Sequence, residues 1–224
     1  MKYFASIKST QLNWTFQYIT PNALENENLE NSQLWNKEIE FLPNNNYTIV
    51  SDSGKGKTTF INYCYGLRND YKGKILLENK SIDELNFNTW AHIRSTKLAY
   101  IPQNLQLLKE HTIWENLIVK NDLTNFKSEE EILRLLSTLG IEKIKDKKAK
   151  ETSLGQQQRT AIIRALIQPF ETLLMDEPFS RLDYNNSIIA AEEIYKTCKE
   201  QNANFIVTSL TDQSPFKDVV NIKI

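Results

Sequence analysis

Tyr47-Thr48-Ile49-Val50-Ser51-Asp52-Ser53-Gly54-Lys55-Gly56-Lys57-Thr58-Thr59 decides how the rest of this 224-residue chain is read. The first four residues read as a short buried strand, the small residues after them as a turn, and Lys57 to Tyr65 as a helix that Gly66 stops. A strand that turns through glycines into a helix start directs backbone N–H groups at whatever lies above the turn, which suits a phosphate. Glycine permits close approach without a Cβ clash. Ser53, Gly54, Lys55, Gly56 and Thr59 are then the cradle, Lys57 reaches the β- and γ-phosphates, and the Thr58 hydroxyl can ligate magnesium. Against the pattern G-x-x-x-x-G-K-[ST], Ser51 stands where the first glycine is expected. Taken alone, the stretch also fits a surface turn that happens to contain glycine and lysine.

Further strands are expected at Leu98 to Ile101, Leu173 to Met175 and Phe205 to Thr208. The second of these runs into Asp176-Glu177, which places two carboxylates at the tip of a buried strand, where a parallel sheet presents residues to ligand. Asp176 can hold magnesium through water, and Glu177 can orient a water for attack on a γ-phosphate. Between the strands lie helices. Ser128 and Glu131 make a capping box ahead of Ile132, Leu135, Leu136 and Leu139, with Gly140 closing the segment. Another helix carries Ile188, Ala191, Ile194 or Tyr195, and Cys198 at helical spacing. This alternation implies an α/β fold with a mostly parallel sheet, interrupted by a helical block from about Gln103 to Ser153.

Composition excludes several classes. With 40% hydrophobic and 25% charged residues the chain is an ordinary globular one, and its net charge of -1 gives no global field for nucleic acid, which is not an expected partner. Cys64, Cys198, His92 and His111 show no metal-ligand spacing. Met1 to Tyr18 lacks the apolar region of a signal peptide, and no apolar run of about 18 residues could span a bilayer. A cytoplasmic chain is expected, unless another protein holds it at a membrane. Residues 22–36, rich in Asn and Glu, read as a solvated loop, and there is no internal repeat.

These residues together resemble an ABC-type nucleotide-binding domain, and the resemblance covers almost the whole chain. Tyr100-Ile101-Pro102-Gln103 resembles the family's Q-loop, which implies that Gln103 touches magnesium and the attacking water. Thr112-Ile113-Trp114-Glu115-Asn116-Leu117 resembles the T-x-x-E-N segment that follows. Thr152-Ser153-Leu154-Gly155-Gln156-Gln157-Gln158-Arg159 lines up with the signature L-S-G-G-Q-Q-Q-R, and Met175 to Asp183 is nearly the family's Walker B and D-loop run. Tyr18 matches the place where the family stacks an aromatic ring on adenine, although plain core accounts for it equally.

The resemblance implies a P-loop NTPase core with an inserted helical subdomain at approximately 104–160 and an N-terminal antiparallel β portion. It implies ATP and Mg2+ as cofactors, bound in a head-to-tail dimer with a second copy or a paralogous ATPase. Each ATP would meet one P-loop and the opposing Ser153, Gly155, Gln156 and Asp183. A transmembrane permease subunit on another chain would hold the protein at the inner face of the membrane. The segment Lys97 to Leu117 is similar to exporters of the lipoprotein-releasing and macrolide-efflux type.

Two departures matter. Leu154 takes a signature glycine's place, which is expected to weaken the phosphate contact because leucine avoids positive φ. Ser209 in Val207-Thr208-Ser209-Leu210 takes the place of the switch histidine. Losing an oriented donor of that kind costs on the order of a hundred- to a thousandfold in rate, so slow hydrolysis is expected unless a neighbour substitutes. A soluble ABC-type ATPase without transport, and a scaffold that uses ATP only to dimerise, remain alternatives.

Overall fold

The computed structural model describes residues 12–211 and 215–224. Its strands, β1 (Trp14–Pro21), β2 (Glu38–Phe41), β3 (Asn46–Val50), β4 (Tyr71–Leu77), β5 (Lys80–Ser81), β6 (Leu98–Ile101), β7 (Thr172–Asp176), β8 (Asn204–Ser209) and β9 (Val219–Lys223), form two sheets. One is antiparallel in the order β2-β1-β4-β5. The other is parallel throughout, in the order β6-β7-β8-β3-β9. The α-helices are α1 (Lys57–Cys64), α2 (Phe87–Thr96), α3 (Ile113–Asn121), α4 (Glu129–Thr138), α5 (Leu154–Leu166) and α6 (Tyr184–Glu200). The expected fold class is therefore the observed one: a parallel α/β core, an antiparallel portion, and a helical insertion between β6 and β7.

The two sheets differ because their sequences do. Every residue of β7 is buried, and β8 is buried up to its last residue, as continuous apolar runs covered on both faces should be. In β1 alternate residues Trp14 and Phe16 face the core, and the alternation breaks at a bulge between Gln17 and Thr20. Tyr18 sits in that bulge with φ 54°. The facing residue is Gly73, where a Cβ would fall 2.6 Å from the carbonyl oxygens of Gln17 and Tyr18, so only glycine lets β4 pass the bulge.

One core cluster joins β1, β2 and β4 to α1. Phe60 of α1 packs on Phe16 and Phe41 with ring centroids 5.2 Å apart in each pair. The other cluster joins α3 to α6 with β6, β7 and β8. The Ser128–Glu131 capping box forms as expected, with Ile132, Leu135 and Leu136 buried on α4 and Gly140 at φ 65° after its end. In α6 the buried stripe is Ala190, Ala191, Ile194 and Cys198, whereas Ile188 is only half-buried.

Residues 22–36 are less solvated than their composition implies. Their Asn and Glu side chains are exposed, but Leu24, Ser32, Leu34 and Trp35 are buried. Trp35 stands edge-on to Phe60 and Tyr63 of α1, and that apolar anchor outweighs the polar majority. Among the described residues no helix is long and apolar enough to cross a membrane.

Candidate functional site

The turn after β3 closes around the ammonium of Lys57, which is 5% exposed. Its Nζ donates to the carbonyls of Ser51 at 2.7 Å and Asp52 at 2.8 Å, and lies 3.6 Å from Glu177 Oε1. Gly54 and Gly56 have φ of 84° and 95°, values that leucine or alanine would hold only under strain. Ser51 is not in the left-handed region, so serine at the first position of the pattern distorts nothing. A cavity of about 240 Å³ opens beside the turn, lined by Ser53, Gly54, Gly56, Lys57, Thr58 and Thr59. Across it stand Gln103 and Glu177, with Ala23 and Leu24 from the preceding loop. The Lys55 side chain does not line it: its ammonium pairs with Glu27 at 3.2 Å.

Asp176, at the tip of β7, is fully buried. Thr208 Oγ1 donates to its Oδ1 at 2.7 Å and accepts from the backbone N–H of Glu177 at 3.1 Å, so one hydroxyl holds both acidic residues. Glu177 itself has φ 48°, and its Oε2 accepts from Gln103 Nε2 at 3.2 Å. Burial and the nearby Asp176 carboxylate push the Tyr100 phenol well above its usual range. Asp176 Oδ2 is buried without a hydrogen-bond partner. A bare buried carboxylate oxygen is costly, so the site fits a cation that the oxygen could reach directly or through water. Among the described residues no three of His, Cys, Asp and Glu are grouped to hold a metal. A magnesium ion here would take its other oxygens from Thr58, Gln103, phosphate and water, as that ion commonly does.

Ser153 caps α5: its Oγ accepts from Gln156 N at 3.3 Å, while Gln156 Oε1 accepts from Ser153 N at 2.9 Å. Leu154 is the first residue of α5, is not in the left-handed region, and is 59% exposed. The expected backbone conflict at Leu154 does not arise. A Cβ at Gly155 would lie 3.0 Å from the Arg181 carbonyl oxygen, so glycine there lets the segment after Glu177 press against α5. Part of the polar run has partners inside the chain, whereas Gln158 Nε2 and Oε1 are buried without a hydrogen-bond partner. Gln157 Nε2 donates to Thr152 O at 3.0 Å, and Arg159 Nη1 donates to Leu139 O at 2.9 Å and to Asn186 Oδ1 at 3.0 Å. Asp183 caps α6, and the bonds from the backbone and side chain of Asn186 hold its carboxyl below the usual range. Ser153, Gly155, Gln156 and Asp183 are absent from the lining of the Lys57 cavity.

Ser209 Oγ donates to Thr211 O at 2.8 Å and accepts from Thr211 N at 3.2 Å, so its hydroxyl is closed into a local turn. Ser209 and Glu177 line a second cavity of about 710 Å³. Tyr18 is 60% exposed, which removes the core explanation for it. Two residues hydrogen-bonded to the candidate site residues Lys55, Asp176 and Glu177 were not singled out from the sequence. Thr208 was legible only as a strand residue, and Trp35 was signalled by nothing but a lone tryptophan in a polar run.

A family model described as ABC transporter matches residues 34–180, well over half of the chain. The chain belongs to the ABC transporter family. Similar proteins include the lipoprotein-releasing system ATP-binding protein LolD of Buchnera aphidicola subsp. Schizaphis graminum, 32% identical over 164 residues and 72% of each chain. The ABC transporter ATP-binding protein YtrE of Bacillus subtilis is 31% identical over 168 residues, covering 74% of this chain and 73% of its own. The LolD similarity agrees with the resemblance read from Lys97 to Leu117. Among solved structures, the dimeric structure of MJ0796, a bacterial ABC transporter cassette, superposes with a TM-score of 0.75 at 23% identity over 94% of each chain. At that identity the likeness establishes the fold. The ABC cassette fold thus brings Lys57, Glu177 and Gln103 to one cavity and leaves the signature helix start outside it.

Proposed function

We propose that the chain is the ATP-binding and ATP-hydrolysing subunit that energises an ABC transporter whose transmembrane part is a separate chain. The observation that carries this reading is the convergence of Lys57, Glu177 and Gln103 on one cavity at a strand-to-helix turn. Lys57 neutralises the β- and γ-phosphates, and N–H groups of the turn and first α1 residues bind their oxygens. Glu177, held by Gln103 on one side, orients a water on the γ-phosphorus and takes its proton as the P–O bond forms. The β–γ bridge then breaks toward ADP. Asp176, Thr58 and Gln103 would hold magnesium, which would neutralise charge on the phosphates. Tyr18, exposed on its bulge, stacks on adenine.

Ser153, Gly155, Gln156 and Asp183 lie outside this cavity and serve the nucleotide of a second copy or a paralogous ATPase, paired head to tail. The Ser153-capped start of α5 offers the positive end of a helix dipole to that γ-phosphate. The permease holds the pair at the inner face of the membrane, and the segment 104–160 is the helical subdomain. A second reading, a scaffold gated by nucleotide with little hydrolysis, is favoured by the closed Ser209 hydroxyl. Calorimetry with Mg-ATP tests the binding site: the parent binds and Lys57→Ala does not. An Lys57→Ala protein with the parent's affinity overturns the assignment, and parent turnover at background in the presence of the permease selects the scaffold.

A further inference from the structure

The phosphate-binding turn is braced from outside by a residue that none of the motifs contains. Trp35, 1% exposed, donates its indole Nε1–H to the carbonyl of Lys55 at 3.0 Å. The pairing is not an automatic result of burial, because the indole Nε1 of Trp14, equally buried, has no partner. The same ring lies flush against the next residue: a Cβ added to Gly56 would come within 3.0 Å of Trp35 Cζ2 and 3.1 Å of Leu24 Cδ1. A second tie from the same loop, the Lys55–Glu27 ion pair, is half-exposed at both ends and therefore weak.

In a trans peptide the carbonyl and the following N–H point in opposite directions. The peptide between Lys55 and Gly56 therefore has its oxygen fixed on the indole and its Gly56 N–H directed away from Trp35. Gly56 lines the Lys57 cavity, and Trp35 does not. We propose that Trp35 is a positioning residue for nucleotide binding, whose indole N–H fixes the Lys55–Gly56 peptide so that the Gly56 N–H faces the phosphates. Without that bond the peptide can rotate through the glycine's wide φ range, and one donor of the cradle is no longer preorganised. The proposal rests on the nucleotide site described above, and it assigns the polar-looking loop 22–36 a part in forming it.

The contact with phosphate is the same before and during the reaction, so its loss weakens binding and leaves the chemical step alone. The test replaces Trp35 by Phe, which keeps an apolar ring without the donor, and in parallel by 3-benzothienylalanine, in which sulfur replaces the N–H and the shape is retained. Calorimetry with Mg-ATP is expected to show affinity reduced about two- to tenfold in both, the range of one neutral hydrogen bond. KM should rise by the same factor with kcat unchanged. The benzothienylalanine protein should melt, without nucleotide, within a few degrees of the parent. Unchanged ATP affinity in the benzothienylalanine protein overturns the proposal. So does a loss confined to kcat. A folded parent that binds no ATP is a different failure, one that defeats the site assignment itself.

Discussion

Lys57 Nζ and Glu177 Oε1 face each other at 3.6 Å, each largely shielded from solvent. The cation that would meet a nucleotide's phosphates is thus balanced, before any nucleotide arrives, by the carboxylate proposed to activate water and by the carbonyls of Ser51 and Asp52. In the proposed site, phosphate would displace Glu177 as the counter-charge, and that displacement would free the carboxylate to take up water.

Glu177→Gln removes the competing charge and the proton acceptor while preserving shape. ATP affinity is expected to equal or exceed the parent's, and hydrolysis to fall by roughly 10²- to 10⁴-fold, the usual worth of a positioned general base. Because the nucleotide then persists, saturating ATP should shift this variant to a dimer in sedimentation. A monomer under saturating ATP, with binding intact and the permease present, argues against the head-to-tail sandwich.

Thr208 is the hinge pin of the acidic pair. In Thr208→Val the Oδ1 of Asp176 and the N–H of Glu177 lose their common partner, and an unpaired buried polar group costs about 1–3 kcal/mol. The denaturation midpoint should fall accordingly, ATP turnover should drop with it, and Thr208→Ser should restore both. If the valine variant is as stable and as active as the parent, the clamp has no consequence.

The strands and the acidic tip were legible because their signals are local. Thr172–Asp176 and Asn204–Ser209 are apolar runs that end in polar residues, and a buried parallel strand needs no long-range information to announce itself. The Ser128–Glu131 box is likewise written within four residues. What the sequence misrepresented depends on tertiary contacts. Trp35 lies in a run of Asn and Glu, and its burial comes from Phe60 and Tyr63 on a helix more than twenty residues away. Leu154 looked like a conflict only against a pattern, because a pattern records a residue type and not the helical φ that this position takes.

Ser209, which shares a cavity with Glu177, is where the proposed slow turnover can be tested. Its hydroxyl is committed to Thr211, so it offers no donor to a γ-phosphate. The cavity of about 710 Å³ that Ser209 shares with Glu177 leaves room for an imidazole. Ser209→His is therefore expected to raise turnover, by up to about a hundredfold if one oriented donor is restored, while ATP affinity stays nearly unchanged, because the contact matters most in the transition state. The gain should vanish in the Ser209→His, Glu177→Gln double variant, since a donor can assist only a reaction that Glu177 sets up. Lys217 lines the same cavity, and its ammonium is the group to test as a stand-in for the histidine. If Lys217 already does so, Lys217→Ala should slow the parent severalfold and Ser209→His should rescue it. A Ser209→His protein no faster than its parent, with Lys217→Ala also without effect and the permease present, removes the switch position from the account of this chain's rate.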